Sequence, residues 1–273
     1  MDKDLEILLN KLPPIIKELY LSDKKITEIR IRRNCNISLV SEGENYIIES
    51  SFVSAQEVED IFMSLCDYTL SAYEDQIAKG FITLYGGHRI GIAGSFSTDI
   101  DGKPVLTEIY SLNIRLSAFH IVDINENVLN FKKGVLICGK PHSGKTTFIR
   151  NICRCINGTN YTVCDERNEI YHSYLNGDFI INLPKEIAIM QAVRVMNPDV
   201  IVCDEIGSGE ETAKMLEYMN AGVKFICSVH CGEYDELYQK PNISPLLSAG
   251  VFDKIVFLDY KDNNFFVKEI IDV

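Results

Sequence analysis

The segment Gly139-Lys140-Pro141-His142-Ser143-Gly144-Lys145-Thr146 spaces two glycines, a lysine and a hydroxyl residue in the pattern of a phosphate-binding loop. A triphosphate needs many donors around it and little steric bulk. A loop bounded by Gly139 and Gly144 meets both needs by turning backbone N–H groups inward at the positive end of a helix. In that arrangement Lys145 sets a point charge against the β and γ phosphates of ATP, the Thr146 hydroxyl ligates Mg²⁺, and Thr147 stands beside it as a further donor. His142 is an uncommon choice inside such a loop and is assigned no chemistry.

Two acidic strand ends follow. Val200-Ile201-Val202-Cys203-Asp204-Glu205 puts two carboxylates at the carboxyl end of an apolar strand, where open α/β sheets collect their ligands. One of them, Asp204, suits the Mg²⁺ shell, and the other can orient or deprotonate an attacking water. Cys164-Asp165-Glu166-Arg167 is a second acidic end, so the base is either Glu166 or Glu205 and the sequence does not choose between them. Ser228-Val229-His230 ends a later strand, from which His230 can sense the γ-phosphate by hydrogen bonding. Cys227, His230 and Cys231 lie close together, but with no second pair at zinc-finger spacing they read as strand residues rather than metal ligands.

These groups need elements to carry them. Gly134 to Cys138 predicts a buried strand and Thr146 to Ile156 a helix; Tyr161 to Cys164 is the next strand. Lys185 to Met196 is helical up to Asn197-Pro198, and Val200 to Cys203 is a strand. Gly209 to Met219 is helical, and Lys224 to Val229, Lys254 to Leu258 and Phe265 to Ile270 are strands. Such alternation implies a mostly parallel sheet covered on both faces, an α/β nucleotide-binding domain over 131–273.

Residues 1–118 read differently. Asp4 to Leu21 predicts a helix broken at Pro13-Pro14, and Ile26 to Val40 alternates as strands with Arg30 and Arg32 opposite the apolar face. Ser54-Ala55-Gln56-Glu57 is a capping box opening a helix through Tyr68 and as far as Ala78, and Gly86-Gly87-His88 joins two apolar runs as a hairpin. The expectation is a smaller α+β domain, then a linker over 119–130.

The chain has 273 residues, 46% of them hydrophobic, enough for a sizeable core. Twenty-seven Lys and Arg against 39 Asp and Glu give a formal net charge of −12, which repels nucleic acid and anionic membranes except at a local basic patch, so no nucleic-acid partner is expected. The nine cysteines are odd in number and mostly sit in apolar runs, as suits a reducing compartment. The acidic start, Met1-Asp2-Lys3-Asp4, lacks the order of a signal peptide, and the apolar runs are strand-length, so a cytoplasmic chain is expected.

The phosphate loop, Asp165-Glu166-Arg167-Asn168-Glu169-Ile170, the run Arg194 to Gly207 (RVMNPDVIVCDEIG) and Ser228-Val229-His230-Cys231-Gly232 together resemble the stage III sporulation protein AA family, which belongs with the ATPases of type II and type IV secretion. Glu28-Ile29-Arg30-Ile31-Arg32 and Gly80 to Ser95 (GFITLYGGHRIGIAGS) extend the resemblance over nearly the whole chain. It implies a RecA-like P-loop ATPase domain behind the N-terminal α+β domain, assembled as a ring-shaped homo-oligomer, a hexamer. It further implies a motor at the inner face of a membrane, held there by membrane-embedded channel proteins of the complex joining mother cell and forespore. In that family His230 belongs to a histidine box and Asp165-Glu166 to an aspartate box. N-terminal arginines of secretion ATPases can reach the γ-phosphate in trans, which makes Arg89 and Arg115 the candidates here, with Arg194 as another. His142 stands where relatives usually carry Gly, and the tetracysteine motif of many type II ATPases is lacking.

Overall fold

The computed structural model describes residues 3–23, 25–117, 121–156, 158–261 and 264–273, and the chain divides into two units, Met1–Ala118 and Phe119–Val273. In the first, α1 (Lys3–Asn10) and α2 (Pro14–Ser22) meet at the expected break. Pro14 takes a first-turn position, where a missing N–H removes no helical bond.

Strands β1 (Ile26–Arg32), β2 (Cys35–Ser41) and β3 (Glu44–Val53) precede α3 (Ala55–Leu65) and the single turn α4 (Glu74–Ile77). Then come β4 (Phe81–Thr83), β5 (Arg89–Thr98) and β6 (Pro104–Arg115). They form a sheet of order β3-β2-β1-β6-β5-β4 with antiparallel pairings. One face buries Ile29, Ile31, Ile90, Leu112 and Ile114 with Val58 and Phe62 of α3. Period-two alternation sends Arg30, Arg32, Arg89 and Arg115 to the other face.

The capping box forms: the Glu57 N–H donates to Ser54 Oγ, and the Ser54 N–H donates to Glu57 Oε2 at 2.8 Å. The helix stops at Leu65 rather than reaching Tyr68 or Ala78. Asp67 and Tyr68 both adopt positive φ, and the Tyr68 N–H folds back to the Met63 carbonyl, a left-handed exit no helix can continue through. The hairpin of β4 and β5 turns over Leu84–His88, where Gly86 and Gly87 take φ of 78° and 77°.

The second unit comprises α5 (Glu126–Leu129), β7 (Gly134–Gly139), α6 (Lys145–Cys155), β8 (Tyr161–Asp165), β9 (Asp178–Ile181) and α7 (Lys185–Gln191). It continues with β10 (Val200–Glu205), α8 (Gly209–Met219), β11 (Lys224–His230), α9 (Tyr234–Gln239), α10 (Ser244–Ser248), β12 (Lys254–Lys261) and β13 (Asn264–Asp272). The sheet order is β13-β12-β7-β11-β10-β8-β9; β13 runs antiparallel and the rest are parallel. Phe148, Ile149 and Ile152 of α6 cover one face; Ala188 and Ile189 of α7 and Met215 of α8 cover the other.

The helix expected over Lys185–Met196 is α-helical only to Gln191. Ala192–Met196 widen into a π turn, and Asn197, at φ 50°, ends it. Phe119 and His120, the start of the expected linker, lie outside the described residues. The rest of that stretch is anchored in the second unit: Val128 of α5 is fully buried in its core, and the Val122 N–H donates to Asn151 Oδ1 at 3.0 Å.

Candidate functional site

The loop between β7 and α6 is built as its glycines demand. Gly144 caps α6 at φ 83°, and a Cβ on Gly139 would lie 2.2 Å from Ser143 Oγ, closer than atoms can pack. Lys140, Pro141 and His142 are exposed, while Ser143 and Lys145 are buried. Thr146 and Thr147 are half-buried in the first helical turn, whose N–H groups have no carbonyl a turn earlier to bond. Ser143 Oγ is buried with no hydrogen-bond partner among the described residues. His142 holds φ 63°, a left-handed conformation that costs a side chain about 1 kcal/mol and a glycine nothing.

Lys145 Nζ donates to the carbonyls of Gly139 (3.1 Å) and Lys140 (3.0 Å) and to His230 Nδ1 (2.8 Å). An ammonium group has no lone pair to offer, so Nδ1 is the acceptor and the imidazole proton sits on Nε2. That Nε2–H faces Glu205 Oε2 at 2.9 Å. A chain of polar contacts thus runs from the loop lysine through His230 to Glu205, across the neighbouring strands β7, β11 and β10. Burial lowers the Lys145 pKa, with the carboxylates of Glu205 and Asp204 acting against that shift.

Asp204, next to Glu205 at the end of β10, is buried. Desolvation, followed by the negative charges of Glu169 and Asp165, raises its pKa to about 6, with the positive charges of Lys185 and Arg167 acting against the shift. Asp165, at the end of the adjacent β8, is turned away to bind its own loop. Its oxygens accept from the N–H groups of Glu169 (2.8 Å), Ile170 (2.7 Å) and Tyr171 (3.0 Å). Glu166 is exposed on the turn beyond, outside the Lys145–His230–Glu205 chain.

Sequence reasoning passed over a buried ion pair at this strand end. Lys185 Nζ donates to the Glu205 carbonyl and pairs with Glu211 Oε1 at 3.3 Å, while Glu211 Oε2 accepts from the Gly207 N–H at 2.8 Å. The two side chains, only 10% and 9% exposed, clasp the backbone on either side of Ile206 and fix the direction in which Glu205 leaves β10. The signal available in sequence was the pair of charged first-turn residues, one on each helix flanking β10, and nothing in their spacing joined them.

In the first unit, Arg89 and Arg115 are direct cross-strand partners in β5 and β6. Arg89 lies over the Phe81 ring at 4.0 Å, and Arg115 Nε sits 3.5 Å from Glu28 Oε1, a carboxylate that also engages Arg30 at 3.0 Å. With two exposed guanidinium groups side by side and one carboxylate shared with Arg30, this face carries excess positive charge despite the acidic chain. Arg194 is exposed on the π turn of the second unit. Cys227 is fully buried in β11, and Cys231 Sγ donates to the Glu233 carbonyl at 3.0 Å.

The family described as sporulation stage III, protein AA, matches residues 2–273. Stage III sporulation protein AA of Bacillus subtilis (strain 168) is 31% identical over 288 residues, which cover 98% of this chain and 92% of the relative. The chain belongs to the stage III sporulation protein AA family.

Solved structures extend the likeness in fold for this family member. The pilus retraction motor PilT with bound ADP superposes with a TM-score of 0.67 at 15% identity, covering 94% of this chain and 82% of that one. The Legionella pneumophila ATPase DotB gives 0.63 at 14% identity, with 94% and 80% covered. At such identities the likeness is one of fold, a RecA-like α/β architecture. No helix among the described residues is long and apolar enough to cross a membrane.

Proposed function

We propose that this protein hydrolyses ATP with Mg²⁺ as the motor of a secretion-type channel, and that the channel is the one joining mother cell and forespore. The observation that carries the reading is the continuous chain from Lys145 through His230 to Glu205, which couples a phosphate cradle to a carboxylate that can act on water. The orphaned, buried Ser143 hydroxyl fits a cradle completed by a phosphate oxygen. The donor set fits the metal: the Thr146 hydroxyl and Asp204 carboxylate are hard oxygen ligands of the kind Mg²⁺ takes, and a cation relieves the burial that raises Asp204. When bound, Mg²⁺ neutralises charge on the β and γ oxygens.

The chain's residues do the rest. Backbone N–H groups of the loop and Lys145 hold the triphosphate. Glu205, aimed by His230 and by the Lys185–Glu211 clasp, orients a water in line with the γ-phosphorus and takes its proton as the oxygen attacks and the bond to the β-phosphate oxygen breaks. Glu205 is preferred to Glu166 for this role because it alone of the two joins the chain of contacts to Lys145.

Arg89 and Arg115 of one subunit neutralise charge at the γ-phosphate held by a neighbour in a hexameric ring, which stands at the cytoplasmic face of the membrane through embedded partners. A fold shared with a pilus retraction motor supports this use of the energy. Turnover measured with and without DNA tests it against a RecA-like motor acting on nucleic acid. Mg²⁺-dependent turnover indifferent to DNA is expected; salt-sensitive DNA binding with stimulated turnover would overturn the secretion reading.

A further inference from the structure

The sheet gives the loop two unlike sides. On one side of β7 stand β11 and β10 with His230 and Glu205; on the other stand β12 and β13. A triphosphate whose γ end faces the first side directs its nucleoside end toward the second. The β12–β13 hairpin forms that second wall. A Cβ placed on Gly139 would lie 3.0 Å from the Leu258 carbonyl of β12, and one on Gly144 only 2.4 Å from the Phe265 ring of β13. Gly144 therefore keeps its lack of a side chain for two reasons, its φ of 83° and the aromatic ring against it.

Tyr260 and Phe265 are direct cross-strand partners, so their side chains share one face of the hairpin. Phe265 is half-buried against the core beneath α6, whereas Tyr260 is 52% exposed. A core-filling role accounts for the first ring. It does not account for a second aromatic left open beside it, at the end of the cradle away from His230 and Glu205.

We propose that the Tyr260–Phe265 face is the base-binding subsite of the nucleotide site, on which the purine ring of the bound nucleotide stacks. Stacking on an aromatic face is tolerant of the base's edge, so the subsite reads a planar ring rather than its hydrogen-bonding groups and accepts GTP much as it accepts ATP. The inference rests on the nucleotide reading above and adds to it the contacts made by the half of the ligand that the phosphate loop leaves unheld.

The test is equilibrium binding of ATP, GTP and inorganic tripolyphosphate to the full chain with Mg²⁺, for the wild type, Tyr260→Ala and Phe265→Leu. Tyr260 is exposed, so its variant folds. The expected result is about a tenfold loss of ATP and GTP affinity in Tyr260→Ala, with tripolyphosphate binding unchanged. Equal losses for nucleotide and tripolyphosphate would show that the hairpin only shapes the loop, and unchanged binding of all three in both variants would show that the base lies elsewhere; either overturns the proposal. A wild type that binds neither nucleotide nor tripolyphosphate would remove the nucleotide reading itself, a different failure from loss of the stack.

Discussion

Asp204 and Lys185 carry the tension of the site at the level of single residues. The folded-state pKa of Asp204, about 6, lies above its ordinary 3.8, so between those values the folded chain holds a proton that the unfolded chain has released. The contribution of Asp204 to stability is therefore largest below about pH 4, falls as pH rises towards 6, and stays reduced above it, by at most about 3 kcal/mol. Asp204→Asn should then raise the melting temperature of the ligand-free protein at pH 8 while abolishing Mg²⁺-dependent turnover; a lower melting temperature would refute the desolvation argument. Lys185 behaves oppositely, because removing it leaves Glu211 buried and unpaired. Lys185→Met is expected to cost about 3 kcal/mol in a denaturant titration, and Lys185→Met with Glu211→Met to recover most of that stability but not kcat. Recovery of both would mean the clasp has no hold on Glu205. The phosphate loop was plain in the sequence because its residues are contiguous. The clasp was not, because Lys185 and Glu211 belong to different helices and meet only in the fold. The choice between Glu166 and Glu205 was hidden for a similar reason, since sequence places both at strand ends and only geometry shows which one His230 meets.

Elements were legible where burial was one-sided or complete. β7, β8, β10 and β11 are nearly continuous apolar runs, and each was read correctly. The strands missed were β3, β6 and β9. Edge strand β3 is exposed along most of its length and β9 is half-buried at every position, so neither offers the contrast that periodicity needs; β6 alternates only in its inner part, from Ile109 to Arg115, and its outer part is mostly exposed. The π turn after α7 and the left-handed exit of α3 were invisible because backbone geometry, not apolar spacing, ends those helices. One element-level contact is sharply testable. A Cβ on Gly177, just before β9, would meet the buried Tyr161 ring at 2.2 Å. Gly177→Ala should destabilise the protein by about 1–3 kcal/mol in a denaturant titration, and a neutral result would mean Tyr161 can move aside.

Across the whole molecule, a net charge of −12 coexists with a sheet face where Arg89 and Arg115 stand side by side. Like charges paired across strands cost stability, offset here in part by Glu28 beside Arg115 and the Phe81 ring under Arg89, and the proposed function gives the pair an anionic target. If that target is the γ-phosphate of a neighbouring subunit, Arg89→Ala with Arg115→Ala and Lys145→Ala should each be inactive alone, yet recover part of the wild-type turnover when mixed, since some sites then combine intact halves. Mixtures as inactive as their components would argue against sharing in trans. In the proposed function, the contacts from Lys145 through His230 to Glu205 make this family member an ATPase. Phosphate release from ATP, measured with Mg²⁺ for the wild type, Lys145→Ala and Glu205→Gln, tests it most directly. Steady turnover is expected of the wild type and none of Lys145→Ala, and a Glu205→Gln protein should bind ATP but release phosphate more slowly by about a hundredfold or more. Wild-type release no faster than that of Lys145→Ala, in every oligomeric state that can be prepared, would contradict it.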